Sequence, residues 1–473
     1  MPSIHVLIIL VGLLLGNDLA AARGAASEGS GWQFVVAAGW SFLVASVALV
    51  ALPACARAAA YRGSWRLLRR GLGLSEKLRW LVVLPFAIWS VTSNGLGAVE
   101  SLMGAWIGLD EMAAAAPPLL ALLAITWAEH PLHDRMRQAM LVRELDAGGL
   151  VERPPTRWEA TISRARAMLA MPLVPVLLIV CWHETVEYVL GGQPALAWRT
   201  IDIAGTIAIV AFSPAIIVRV LGTRSLGDGE ARQRIATLCD QMGARITGVR
   251  LWAHPSANAA ILGLLPWARY MLVTEPLLQG MPRHEFDAVV AHELAHVRQH
   301  HVLWIVLAML ALVTALGLVE PALAWFGQNA GLGRGLAELS ALLLVATAAV
   351  LGFGAISRLI ERHADARAAV ALSTAIAREN EDDPAIVHQG GPDSMAAALD
   401  RVCALNGVDP NRWGFRHGSV RQRQRALARL AGLPSRRLPV DRRVFTLRLA
   451  TLTTLAIAGT VMLVGLWQGW FSL

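Results

Sequence analysis

Charge is scarce in this chain. Only 16% of its 473 residues are charged and 55% are hydrophobic, against about 25% and about 45–50% in a soluble domain. That balance excludes a disordered or collagenous chain. Lysine is nearly missing: Lys77 stands alone, so the net charge of +8 is carried by arginine. Cysteine is sparse as well. Cys55, Cys181, Cys239 and Cys403 are scattered without a Cys-x-x-Cys pair, which excludes a disulfide framework and a thiolate zinc site. No internal repeat is evident.

The hydrophobic residues fall into nine runs, approximately Ile4–Leu15, Trp32–Leu52, Trp80–Val99, Met112–Ala128, Ala167–Trp182, Ile203–Val218, Val302–Val319, Leu339–Ile356 and Leu449–Trp467. A membrane-crossing helix needs roughly 20 predominantly apolar residues. The first run is the shortest. It reads as a retained helix, with a signal peptide's apolar region as the alternative: Ala20-Ala21-Ala22 offers a cleavage site, but no basic segment precedes the run.

Loop charge supports the nine-run count. Arg57, Arg62, Arg66, Arg69, Arg70, Lys77 and Arg79 separate the second and third runs, while the next loop holds Glu100, Asp110 and Glu111 and no base. Segment 129–166 is arginine-rich again, and 183–200 holds Glu184 and Glu187 against Arg199 alone. The long segments 219–301 and 357–448 are both arginine-rich, with a base-poor connection at 320–338 between them. Basic loops are retained in the cytoplasm, so the positive charge is a topology signal rather than a nucleic-acid footprint. Both long polar segments are expected on the cytoplasmic side. The arginine-to-lysine ratio and the abundant alanine point to a GC-rich bacterial genome and a bacterial cytoplasmic membrane.

Within the polar segments, 229–243 has a helical pattern, and Val249–His254, Asn258–Leu264 and Arg269–Thr274 read as short strands of a small sheet. Pro282 opens a helix with Phe286, Val289, Val290, Leu294 and Val297 on one face. Glu379–Ser394, acidic and carrying Gly390, Gly391 and two prolines, reads as a loop.

That helix carries Ala291-His292-Glu293-Leu294-Ala295-His296, a His-Glu-x-x-His motif. Residues four apart share a helix face, so both imidazoles can bind one Zn²⁺, with Glu293 beside them as a proton acceptor. A catalytic zinc takes a third protein ligand and keeps one position open. His254, His300, His301, Glu361, His363 and His417 are candidates for it.

Ser357-Arg358-Leu359-Ile360-Glu361-Arg362-His363-Ala364-Asp365 resembles the second motif, Ser-Arg-x-x-Glu-x-x-Ala-Asp, of the HtpX-type membrane metallopeptidases of family M48. Here it follows His-Glu-x-x-His after a two-helix transmembrane excursion. Glu285–His296, Asn258-Ala259 on an edge strand, and His417-Gly418-Ser419 followed by Arg423 match the family's order, and the resemblance is specific over about 225–430. Together with the nine apolar runs, it implies a mainly α, polytopic helical membrane protein of about nine spans. A cytoplasmic, zincin-like α+β catalytic module would be split by a transmembrane hairpin. The divisions would be 1–221 (six spans), 222–301 (first half of the module), 302–356 (hairpin), 357–445 (second half) and 446–473 (last span).

Carried over, the resemblance makes His292, His296 and Glu361 ligands of one Zn²⁺ and Glu293 the general base. Asp365 would orient a zinc histidine. His417 and Arg423 would hold the oxyanion or the substrate, and Asn258-Ala259 would flank the strand that pairs with an extended peptide. Gly418 departs from the family's proline, and Arg416, Arg421 and Arg425 crowd Arg423, which leaves open the arginine that enters the site. The expected partners are a peptide or membrane-protein substrate and the bilayer, without nucleic acid.

Other polar residues have plainer readings. His363, two residues from Glu361 on a helix, points away from it. His300 and His301 end the motif helix at the membrane interface. In Cys181-Trp182-His183-Glu184, Glu187 replaces a second histidine, and the segment reads as a polar loop, as do His130 and His133. Asp202 and Glu320 lie near span ends. A site-2 type protease would need a ligand motif inside a later span, and Leu226-Gly227-Asp228 precedes the motif helix. A transporter and a catalytically silent scaffold remain as alternatives. Prolines do interrupt the early spans, but no repeat supports transport, and no ligand or base is missing.

Overall fold

The computed structural model describes residues 2–22, 31–104, 106–136, 138, 156–191 and 195–467. The chain divides into two compact units, Met1–Thr223 with Ala253–Pro255, and Arg224–Trp252 with Ser256–Leu473.

The first unit is helical: α1 (Pro2–Ala22), α2 (Gly31–Tyr61), α3 (Trp65–Ser93), α4 (Gly95–Met103), α5 (Leu109–Ala128), α6 (Arg157–Leu190) and α7 (Ala195–Val220). Ala45, Ala48, Leu52, Ala56 and Ala59 recur every three or four residues along α2. They pack on Leu78 and Val82 of α3 and on Ala121, Ile125 and Ala128 of α5. Where lipid is as apolar as the side chains, small residues bring helices close enough for dispersion to hold them. Val6, Ile9 and Leu13 of α1 are buried against Val83, Phe86, Leu122 and Met168.

Among the described residues, seven helices are long and apolar enough to cross a membrane, or eight if one bent pair is a single span. The sequence expectation of nine differs in two places. The third run is broken into α3 and α4, bent by 75°. Asn94 at the bend is left-handed (φ 47°), and its side chain accepts from the Gly97 N–H at 3.2 Å to cap α4. Asparagine tolerates that conformation because its short amide bonds locally. In the first run, the apolar stretch Ile4–Leu14 is shorter than a span. Cys181–Glu184 belongs to α6 rather than to a loop, with Glu184 accepting from the Gly108 N–H at 2.8 Å.

The second unit holds a four-stranded sheet in the order β1 (Arg224–Ser225), β2 (Gly248–Trp252), β4 (Tyr270–Thr274), β3 (Ala259–Leu262). β2 and β4 are parallel and the other pairs antiparallel, with β3 on one edge. Its helices are α8 (Glu230–Met242), α9 (Glu275–Gly280), α10 (Arg283–Arg298), α11 (His301–Asn329), α12 (Arg334–Glu379), α13 (Gly390–Asn406), α14 (Val420–Leu427) and α15 (Pro439–Trp467).

The apolar face read on α10 is real. Phe286, Val290 and Leu294 are buried with Met271 and Val273 of β4, Ala368 and Leu372 of α12, and Met395 and Leu399 of α13. Ion pairs pin the outer side of α10. Arg234 of α8 forks onto Asp287, with Nε donating to Oδ1 at 2.9 Å, and Arg401 Nε donates to Glu285 at 3.1 Å.

α12 runs unbroken from the eighth apolar run into the second motif, so one helix carries both. The expected loop at 379–394 is shorter than read, because α13 already starts at Gly390. A Cβ on Gly391 would lie 2.2 Å from the Ala369 carbonyl oxygen. The glycine that reads as a loop signal is therefore a close-packing residue, and Pro392 fits the first helical turn.

Candidate active site

Helices α10 and α12 bring the motif residues together. His292 and His296 lie one turn apart on α10 with their Nε2 atoms 3.3 Å from each other. Glu361 of α12 faces both: its carboxylate oxygens lie 3.6 Å from His292 Nε2 and 3.9 Å from His296 Nε2. Ligand atoms of all three fall within 4.8 Å of one another. With zinc–ligand bonds of about 2.0–2.1 Å, the edge of a coordination tetrahedron is roughly 3.3–3.4 Å. The three separations match that edge to within about half an ångström, and two imidazoles with a carboxylate are a zinc donor set.

The surroundings orient these donors. Asp365, one turn beyond Glu361, places Oδ1 3.0 Å from His292 Nδ1. This close contact with the carboxylate turns His292 Nε2 toward the cluster. Asp365 is itself gripped by Arg423 of α14, whose Nε and second guanidinium nitrogen donate at 2.7 and 2.5 Å. Arg423 also lies 3.6 Å from Glu361. Of the clustered arginines it is the buried one at the site; Arg416 stacks over Phe353 and Arg421 pairs with Asp400.

His417 Nδ1 lies 3.0 Å from Glu361 Oε2, with the ring partly open to solvent. A tight loop delivers it: Gly414 and Gly418 exchange backbone hydrogen bonds of 3.0 and 2.8 Å. Gly418 sits at φ +71°. Proline, locked near −65°, cannot occupy that turn, which accounts for the glycine here.

Glu293, between the two histidines, is within reach of the Ile261 backbone N–H on β3. Burial, with the Glu361 charge adding to it, pushes its carboxyl up to about 7, although His292 and Arg423 pull the other way. Such a group exchanges protons near neutral pH. Ala259 opens the edge strand. The exposed Asn258 before it is fixed through its backbone, its N–H donating to Thr274 Oγ1 at 2.8 Å and its carbonyl accepting from the Thr274 N–H at 3.0 Å.

His254 and His300 are not in the three-residue cluster, and His300 is the exposed, left-handed joint between α10 and α11. His301 corrects the sequence reading, because it is wholly buried and contacts His296. His363 does turn away from Glu361, but into a buried contact with His301. Asp441, which meets His363 at 3.1 Å, stands in no motif that could have marked it from sequence. In the first unit, Asp110, Glu111 and Glu184 form a second acidic group, without an imidazole.

The family model of peptidase family M48 matches residues 226–385. A protease HtpX homologue of Aeropyrum pernix is 30% identical over 217 residues, covering 42% of this chain and 67% of that protein. Another, of Acidiphilium cryptum, is 31% identical over 255 residues, 51% of this chain and 88% of its own length. The chain belongs to peptidase family M48. It is a membrane metallopeptidase of that family. The family model spans both motifs, from just after β1 to just past the end of α12, and stops before His417 and Arg423. The crystal structure of S. mikatae Ste24p is similar over 89% of this chain and 98% of its own, at 14% identity and a TM-score of 0.43.

Proposed function

We propose that this M48 peptidase is a zinc-dependent endopeptidase that cleaves membrane proteins or peptides from the cytoplasmic side. The observation that carries the reading is the convergence of His292 Nε2, His296 Nε2 and the Glu361 carboxylate at separations of 3.3–3.9 Å. His292, His296 and Glu361 would hold one Zn²⁺, which when bound supplies Lewis acidity toward a peptide carbonyl and toward water. Residues 222–301 and 357–445 would be the halves of one catalytic module, with 302–356 as the hairpin between them.

The remaining chemistry belongs to the chain. Glu293, poised near neutral pH, accepts a proton from the attacking water and delivers it to the leaving amine nitrogen. His417 stands beside Glu361 with its ring partly open, a position from which it donates to the oxygen that gains charge at the scissile carbonyl. Arg423 acts through Asp365 and adds positive charge beside Glu361. The backbone of edge strand β3, preceded by Asn258-Ala259, offers its free side to an extended peptide.

The test is cleavage of an unfolded protein such as casein by the detergent-purified chain. Activity is expected to vanish with a zinc chelator and return with Zn²⁺. Glu293→Gln should keep stoichiometric zinc and lose about 10²–10⁴ of the turnover. Loss of zinc from a folded Glu293→Gln protein would overturn the base assignment. Zinc-replete protein without any hydrolysis would favour the silent scaffold.

A further inference from the structure

The nitrogen of His296 that faces away from the ligand cluster begins a second line of contacts. His296 Nδ1 lies 3.1 Å from His301 Nδ1, His301 Nε2 lies 2.8 Å from His363 Nδ1, and His363 Nε2 lies 3.1 Å from Asp441 Oδ1. His301 is 0% and His363 3% exposed, so water does not compete for these nitrogens. Asp441 is held at the start of α15 by the Leu438 N–H at 2.8 Å and by Arg367 at 2.6 Å.

With the three imidazoles neutral and Asp441 ionised, counting hydrogens along this line leaves one solution. An ionised carboxylate only accepts, and a neutral imidazole has one N–H and one bare nitrogen. His363 must therefore donate to Asp441 from Nε2, which leaves its Nδ1 bare to accept from His301 Nε2–H. His301 Nδ1 is then bare and accepts from His296 Nδ1–H. What remains is a lone pair on His296 Nε2, the atom 3.3 Å from His292 Nε2 and 3.9 Å from Glu361. Turning any one ring over sets two hydrogens or two lone pairs against each other.

We propose that Asp441, acting through His363 and His301, fixes the tautomer of His296 and so keeps its Nε2 available as a metal ligand. This rests on the reading of His296 as a ligand. Asp441, His363 and His301 are positioning residues, since none of them touches the ligand cluster except through His296. The two histidines of the motif thus end on carboxylates by different routes. His292 meets Asp365 directly, whereas His296 reaches α15 across α11 and α12.

Two measurements on the full-length, detergent-solubilised chain test this. The first is zinc affinity by competition with a chromophoric chelator. Asp441→Asn and His363→Phe should each weaken it about 10–100-fold, the usual cost of losing a partner behind a metal-bound histidine. Arg367→Gln removes the neighbouring ion pair but leaves the acceptor, and is expected to change affinity less than about threefold. Unchanged affinity in the first two variants, or equal losses in all three, overturns the proposal.

The second measurement is side-chain ¹⁵N NMR of histidine-labelled protein stripped of metal, which does not depend on any variant folding. It should find the hydrogen on Nδ1 of His296 and on Nε2 of His301 and His363. The opposite tautomer at His363 or His301 overturns the relay. Wild-type protein that binds no zinc sinks the metallopeptidase site instead, and the NMR arm still decides the relay.

Discussion

At the scale of single residues, the local part of the site was legible because its geometry is local. Four residues between His292 and His296 guarantee a shared helix face, and Glu293 between them follows from the same turn. Glu361 lies 65 positions beyond His296 in the chain, and only its motif context marked it. His301, His363 and Asp441 were not legible in their roles, since their contacts join residues 62 and 78 apart in sequence. Glu293 also yields a pH prediction. Its folded carboxyl is raised to about 7 from its ordinary value of 4.5, so between those values the folded protein holds a proton that the unfolded chain has released. The contribution of this group to stability is therefore present below about pH 4.5 and is lost as pH rises through about 7. For metal-stripped protein, the unfolding midpoint of wild type minus that of Glu293→Gln should fall across this window, and a flat difference argues against the shift. In zinc-loaded enzyme the cation draws the carboxylate down, so the acidic limb of kcat/KM should lie at or below about pH 7.

Among elements, the edge strand is the one whose placement depends on a distant clip. Asn406, the last residue of α13, accepts from the Ala257 N–H and donates to the Ala257 carbonyl, both at 2.9 Å. That pair sets the chain just before Asn258 and β3, 149 positions away in sequence. Asn406→Ala removes both bonds. It should cost roughly 1–3 kcal/mol in denaturant unfolding and raise KM for a peptide substrate more than it lowers kcat, because β3 is displaced while α10 keeps its ion pairs to α8 and α13. A variant with an unchanged KM would mean that β3 does not seat the peptide. The strands themselves were readable from turn signals around short β-rich runs. The start of α13 was not, because a glycine selected for tight packing on α12 looks the same as one selected for a turn.

For the molecule as a whole, the alternation of basic and non-basic loops makes a claim about sides. Arg421 and Gly333 are both exposed and fall in the basic segment 357–448 and the base-poor connection 320–338. In a background with Cys55, Cys181, Cys239 and Cys403 replaced, Gly333→Cys should react with a membrane-impermeant maleimide from outside the cell, and Arg421→Cys only in inverted vesicles. The reverse pattern would put the proposed zinc site on the other face. By itself the sequence determined that this chain is a multi-pass helical protein with a His-Glu-x-x-His helix, because apolar run length and helix-face spacing are properties of neighbouring residues; its likeness to M48 peptidases rested on the resemblance of the motif around Glu361 to that family's. Only the tertiary structure decided which arginine lies beside Glu361 and Asp365, why glycine stands at 418, and where the far nitrogen of His296 ends. Those depend on helices α11, α12, α14 and α15 meeting α10, and no local pattern records such contacts.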